Sequence, residues 1–289
     1  MKVRKGNIVL FLFPCLALFS FIYLIPILIV FVTSFFNWKI GTPMSFVGFS
    51  NYVSGAKDST FWNSLKNTSI WILLQSTIHV TIGTISAFIL SRKRKGWKVV
   101  RTIFMIPNVI CLAAMGVIFL NLFNPQIGVI NSLISKITNS SFNWNWYFSD
   151  STSFLTVTLS WLPYAGLVTI IMLAAIQAVP VDILEAARID GAKQSQIDFF
   201  ITLPLVRTSL GISVIIAATS MLRQFELIFL TTNGGPGVST LNLPLYIYKT
   251  ALNENNYGYA NMMGVILIVV GVIIIFTINK LFRMDEVYV

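Results

Sequence analysis

Residues 185–204 read EAARIDGAKQSQIDFFITLP, a polar and helix-prone stretch in a chain of 289 residues that is 56% hydrophobic and only 10% charged. Soluble domains carry about a quarter charged residues, so a mean hydropathy of +0.79 marks a membrane-embedded protein with a water-facing island. Pro180 closes the apolar run before the island, and Asp182 followed by Glu185 has the spacing of a capping box. Gly191 allows a sharp turn. A second segment, 192–203, then runs into Pro204 at the head of the next apolar run. The reading is helix, turn, helix, projecting from the bilayer. Helices this short are marginal alone in water, so they gain by docking; Ala186 and Ala187 are small enough for close approach, and Glu185 offers an acceptor.

Outward from the island, six stretches approach the roughly 20 apolar residues that a spanning helix needs: 8–36, 69–90, 99–123, 154–179, 205–230 and 260–282. The first follows Lys2, Arg4 and Lys5 but is too long for a signal sequence. With the amino terminus inside, Arg92–Lys95, Lys98, Arg101, Arg188, Lys193, Arg207, Lys280 and Arg283 also fall inside. Only Lys39, Lys57, Lys66, Lys136 and Lys249 fall outside, and Arg223 lies within a span. Basic residues collect in the cytosol. Both termini and segment 180–204 are therefore expected to be cytoplasmic. The net charge of +10 reflects this orientation and implies no nucleic acid. Cys15 and Cys111 lie in apolar runs, which argues against a disulfide framework or thiolate metal site. The external connections are rich in Asn, Ser, Gly and aromatics, and 128–137 places Ile130, Leu133, Ile134 and Ile137 at helical spacing. No repeat, low-complexity tract or soluble domain interrupts 1–289, which reads as a single membrane domain.

The island has a specific pattern: E-A-A, three residues, G, nine residues, I-x-L-P, at Glu185, Ala186, Ala187, Gly191, Ile201, Leu203 and Pro204. It resembles the signature of the integral membrane subunits of binding-protein-dependent ABC importers. The EAARIDGA continuation, TNGGPG at 232–237, YIYKTAL at 246–252, YGYA at 257–260 and FNPQIGVIN at 123–131 resemble the sugar permeases of the maltose, oligosaccharide and glycerol phosphate type. These landmarks run from about residue 65 to the carboxyl terminus; the first span matches only in general pattern. The resemblance implies an all-α, six-helix polytopic fold of the type I ABC importer permease kind in the plasma or inner membrane. It makes 180–204 a coupling helix region, with Glu185, Ala186, Ala187, Asp190, Gly191, Leu203 and Pro204 facing a cytoplasmic ATPase dimer. It also implies a second permease subunit, usually a different chain, an extracellular substrate-binding protein, and a sugar substrate, an oligosaccharide foremost. ATP and Mg would be held by the ATPase. No G-x-x-x-x-G-K-[ST] loop exists here, nor any Gly-Lys dipeptide, so the expectation is a non-catalytic transporter subunit without a cofactor of its own.

Intramembrane polar residues mark cavities or partners. In the fifth span, Arg223 and Glu226 are spaced to neutralise each other as an i, i+3 pair. The alternative is that Arg223, Gln224 and Glu226 line a substrate path; by the resemblance, Ser220 and Gln224 fall on the cavity face. In the fourth span Ser160, Trp161 and Tyr164 offer hydroxyls and rings suited to sugar, although Trp161 could equally belong to an interfacial belt. His79, beside Thr77 and Thr81, reads as an interhelical hydrogen-bonding residue rather than a metal ligand, and Pro107 and Pro163 are candidate kinks. A competing reading is an ion-coupled secondary carrier for a small polar solute, for which only Glu226 and His79 are candidates. A membrane enzyme lacks a triad, a metal cluster or a nucleotide motif.

Overall fold

The structure is a computed structural model that describes residues 5–284, with side chains from residue 12 onward. The basic flank Lys2 and Arg4 lies outside the described residues. Apart from one two-stranded ribbon, Phe36–Asn37 with Ser45–Phe46, the regular elements are helices. Four are long and apolar enough to cross a membrane, and two bent pairs bring the number to six if each pair is one span. The chain separates into two compact units, 1–61 with 246–269 and 62–245 with 270–289.

In the first unit the first span, Leu12–Thr33, turns outward an almost unbroken apolar surface, as a helix bathed in lipid should. After it come the ribbon and a short helix, Ser50–Lys57. The YGYA motif gains a physical meaning here. A Cβ on Gly258 would stand 2.0 Å from the carbonyl oxygen of Phe36, so only glycine allows this backbone approach. Beside it, Tyr257 donates its amide to the Trp38 carbonyl (2.9 Å), and Asn255 exchanges two hydrogen bonds with the Ile40 backbone. Asp58 gathers the hydroxyls of Tyr246 (2.6 Å) and Tyr259 (2.8 Å) on one carboxylate oxygen, while its other oxygen caps the following helix at Thr60.

The second unit departs from the expected spans in three places, each for an identifiable reason. The second span begins at Ser59 rather than 69 and runs to Ser91. Its buried stripe, Ser64, Thr68, Trp71 and Gln75, follows helical spacing but is polar at three of these four positions, so mean hydropathy misses its first turns. The third span is two helices, Trp97–Val109 and Leu112–Leu122, meeting at 104°. The break falls at Ile110 and Cys111, both extended, three residues beyond Pro107, whose missing amide weakens that last turn. The fifth element ends at Met221, is preceded across a 73° bend by Gln194–Leu205, and resumes only as Glu226–Thr231. A continuous 205–230 helix is thus not what forms.

The fourth span, Ser153–Gln177, narrows to a 3-10 turn at Leu162–Ala165 that carries Pro163. Two glycines let neighbours approach: a Cβ on Gly166 would meet the Phe104 carbonyl at 1.8 Å, and one on Gly83 would meet Val168 at 2.7 Å. Small residues at such crossings replace the hydrophobic drive that lipid removes. The outer helix forms at Val129–Thr138, but its buried residue is Asn131, which donates to the carbonyls of Pro125 and Trp144 and accepts from Trp146. Leu133 and Ile137 remain exposed. The TNGGPG loop is held by a hydroxyl pair, Thr232 with Thr240 (2.7 Å), and by Thr240 donating to the Gly235 carbonyl. Gly235–Pro236 is cis, and Asn233, Gly234 and Gly237 have positive φ, a conformation that glycine adopts freely.

Candidate substrate path and coupling hairpin

Where the helices of the second unit break, they leave a space. A cavity of about 410 Å³ is bounded by the second, third, fourth and fifth spans. Each contributes its irregular point. The second presents Gln75 and His79, the two ends of a π turn; the third its break at Ile110 and Cys111; the fourth Trp161 and Tyr164 at the 3-10 turn; the fifth Ser220, Met221 and Gln224 where the helix unwinds. Irregular backbone at membrane depth is tolerated where it lines a cavity, and π turns cluster at functional sites.

The polar atoms around this space are unusual in having nothing to bind. His79 Nδ1, Trp161 Nε1, Tyr164 Oη and Gln224 Nε2 are buried and without a hydrogen-bond partner among the described residues. Leaving a buried polar group unmade costs about 1–3 kcal/mol, and four such atoms belong to residues that line this one cavity. The lining is otherwise apolar, and no carboxylate belongs to it among the described residues. Trp161 is 3% exposed and meets Trp71 edge-on at 4.8 Å. It is one of the residues that line the cavity.

The sequence-derived path residues therefore divide. Trp161, Tyr164, Ser220 and Gln224 line the cavity. Ser160 lies next to it but is fully buried, its hydroxyl engaged with Tyr147 (2.7 Å) and the Thr156 carbonyl; that contact works against the burial that pushes the Tyr147 phenol up to about 12. Arg223 and Glu226 are exposed. No ion pair joins them among the described residues, because the helix ends at Met221 and the i, i+3 geometry that would align them is lost. Gln75, His79 and Asn108 also line the cavity. Gln75 and Asn108 escaped sequence reasoning because isolated amides in apolar runs carry no pattern; His79, read as an interhelical bond, makes none through Nδ1.

The hairpin begins with Val181–Ile189. Asp182 sits in its first turn, but no side chain caps the helix, so the expected capping box does not form: Pro180, at the cap position, already sets the backbone entry. The carboxyl end explains the spacing of E-A-A and G. Ala192 donates its amide to the Ala187 carbonyl and Gly191 to that of Arg188, with Gly191 at φ +79°. This is a Schellman closure, in which the residue past the cap must be left-handed. Glu185, Ala186, Ile189 and Asp190 point to solvent and Ala187 is buried. The return limb, Gln194–Leu205, carries Leu203 and Pro204 and anchors through Ile197, 1% exposed. Its Asp198 accepts from Arg92 at the end of the second span (2.9 Å) and from Gln194 (2.8 Å). The hairpin is thereby tied to the helix that carries Gln75 and His79.

Broken spans around a cavity, with an exposed helical hairpin between the fourth and fifth spans, mark a polytopic membrane protein. Over residues 79–283 the chain matches the profile of the binding-protein-dependent transport system inner membrane components, and it belongs to that family. It is 31% identical over 274 residues to the "Probable ABC transporter permease protein YurN" of Bacillus subtilis, covering 93% of this chain and 94% of that one. To the multiple sugar-binding transport system permease protein MsmF of Streptococcus mutans it is 31% identical over 259 residues, covering 88% and 87%. Its fold is similar to that of a chain in the crystal structure of a bacterial alginate ABC transporter complexed with an alginate pentasaccharide-bound periplasmic protein, at a TM-score of 0.84 and 22% identity over 99% and 97% of the two chains.

Proposed function

We propose that this chain is one membrane half of an ATP-driven importer, non-catalytic itself, that passes a sugar received from an extracellular binding protein through the cavity between its broken spans. The observation that carries the substrate class is one otherwise apolar space lined by Gln75, Asn108, Trp161, Tyr164, Ser220 and Gln224. A polyhydroxylated molecule offers donors and acceptors in several directions and apolar ring faces for Trp161, the mixture that ligand sites of roughly 300–1,000 Å³ provide. The names of relatives such as MsmF favour the same class. Energy comes from outside the chain, in ATPase subunits that bind ATP and Mg and grip Glu185, Ala186 and the Gly191 turn. Their closure would move the hairpin, and the Arg92–Asp198 tie would pass that movement to the second span, shifting the cavity between two packed states. Both termini and the hairpin then face the cytosol. A second permease subunit completes the path. Of the two groups an ion-coupled mechanism could use, His79 lines the cavity and Glu226 does not, so the dependence of uptake on ATP or on an ion gradient decides between the two readings.

The test is substrate uptake by the reconstituted transporter with Gln224→Ala and Tyr164→Phe. Each removes one hydrogen bond of about 1 kcal/mol, so KM should rise roughly fivefold while nucleotide-driven turnover of the saturated protein stays close to wild type. An unchanged KM in both variants would remove these residues from the path.

A further inference from the structure

On the side of the membrane that carries the hairpin, a second and quite different cavity of about 580 Å³ lies between the end of the second span and the hairpin. Arg92, Lys93 and Arg94 enter it from the span end and Arg188 from the hairpin, and the only carboxylate lining it among the described residues is Asp198. Both oxygens of that carboxylate are in use, one by Arg92 and the other by Gln194. Lys93, Arg94 and Arg188 make no ion pair among the described residues. Immediately across the Arg92–Asp198 pair, which lines both spaces, runs an apolar groove of about 450 Å³ formed by Ile85, Phe88 and Ile89 of the second span with Phe199, Leu203 and Leu210. Ile85, Ile89 and Phe199 are more than half exposed. A basic basin and an apolar channel sharing one wall match a molecule with an anionic head and a hydrocarbon tail.

We infer that this pair of cavities is a binding site for one anionic phospholipid, its phosphate among Lys93, Arg94 and Arg188 and an acyl chain along Ile85, Ile89 and Phe199. Clusters of cations at a membrane edge attract anionic headgroups with about 1 kcal/mol each. An acidic protein segment would satisfy the basin but has no use for the groove beside it. The lipid would brace the hairpin against the second span at the joint that the Arg92–Asp198 pair forms. The inference rests on the proposed function only in placing this end in the cytosolic leaflet; retention of the lipid can be measured whether or not sugar is the cargo.

The experiment is native mass spectrometry of the intact transporter in detergent, titrated with phosphatidylglycerol or phosphatidylcholine of the same acyl composition. One copy of phosphatidylglycerol should be retained in preference to phosphatidylcholine. In Lys93→Asn/Arg94→Gln its affinity should fall about thirtyfold, about fivefold for each cation removed; asparagine suits the positive φ of position 93. Phe199→Ser should weaken retention as well, and millimolar inorganic phosphate should not displace the lipid. Equal retention of the two lipids by the wild-type transporter overturns the inference without reference to any variant. So does complete displacement by inorganic phosphate together with an unchanged Phe199→Ser, which would mark a simple phosphate site.

Discussion

Gly191 shows how far the hairpin's backbone depends on a single position. Its left-handed conformation closes the hairpin helix, and a side chain there costs about 1–2 kcal/mol even though the space around it is open. Gly191→Ala should leave the protein inserted and folded but reduce its association with the ATPase, whereas Gly191→Asn, which tolerates the conformation, should retain most of it; co-purification of the ATPase distinguishes them. Asp58 is a second such position. Burial works to raise its carboxyl, but the hydroxyls of Tyr246 and Tyr259 and the amides of Phe61 and Thr60 outweigh it and hold it below the usual range. A depressed folded value means that the stabilisation is complete above the unfolded value of about 3.9 and is lost as pH falls through the folded one. Acidifying from about pH 5 to about pH 3 should therefore lower the hydrogen-exchange protection factors, taken relative to the intrinsic rate at each pH, at the start of the Tyr257–Phe282 helix, and Asp58→Asn should abolish that change in protection.

Among the elements, the joint between hairpin and second span is the part that sequence reading did not reach. Asp198 and Arg92 are separated by 106 positions, and neither stands out in its own segment. Asp198→Asn removes the charge while keeping an acceptor, so ATP hydrolysis by the assembled transporter should continue while uptake per ATP falls; equal losses in both would assign the residue to ATPase docking instead. What was legible followed from periodicity and from backbone needs. The apolar runs located the spans, and the hairpin was visible because Gly191 and Pro204 punctuate it. What was not legible were the breaks. Pro107 and Pro163 pointed to irregularity, but the positions where the helices open at 110–111 and 222–225 depend on neighbours packed against them. The cavity followed from those breaks, which is why Trp161, Tyr164, Ser220 and Gln224 were foreseen as polar spots on apolar helices while Gln75 and Asn108 were not. Ser160 faces Tyr147 instead, a contact set by a distant external loop.

At the scale of the whole molecule, the proposed role is that of a passive conduit with a handle. Polar side chains line the cavity, and Glu185, Ala186, Ile189 and Asp190 are exposed on the hairpin. The family comprises the inner membrane components of binding-protein-dependent transport systems. The most direct measurement is uptake of labelled oligosaccharide into vesicles holding this chain with its second permease and ATPase, with binding protein outside, energised either by internal ATP or by a proton or sodium gradient. The account predicts accumulation that requires ATP and the binding protein and is indifferent to the gradient. Accumulation that follows the ion gradient and proceeds without ATP would contradict it.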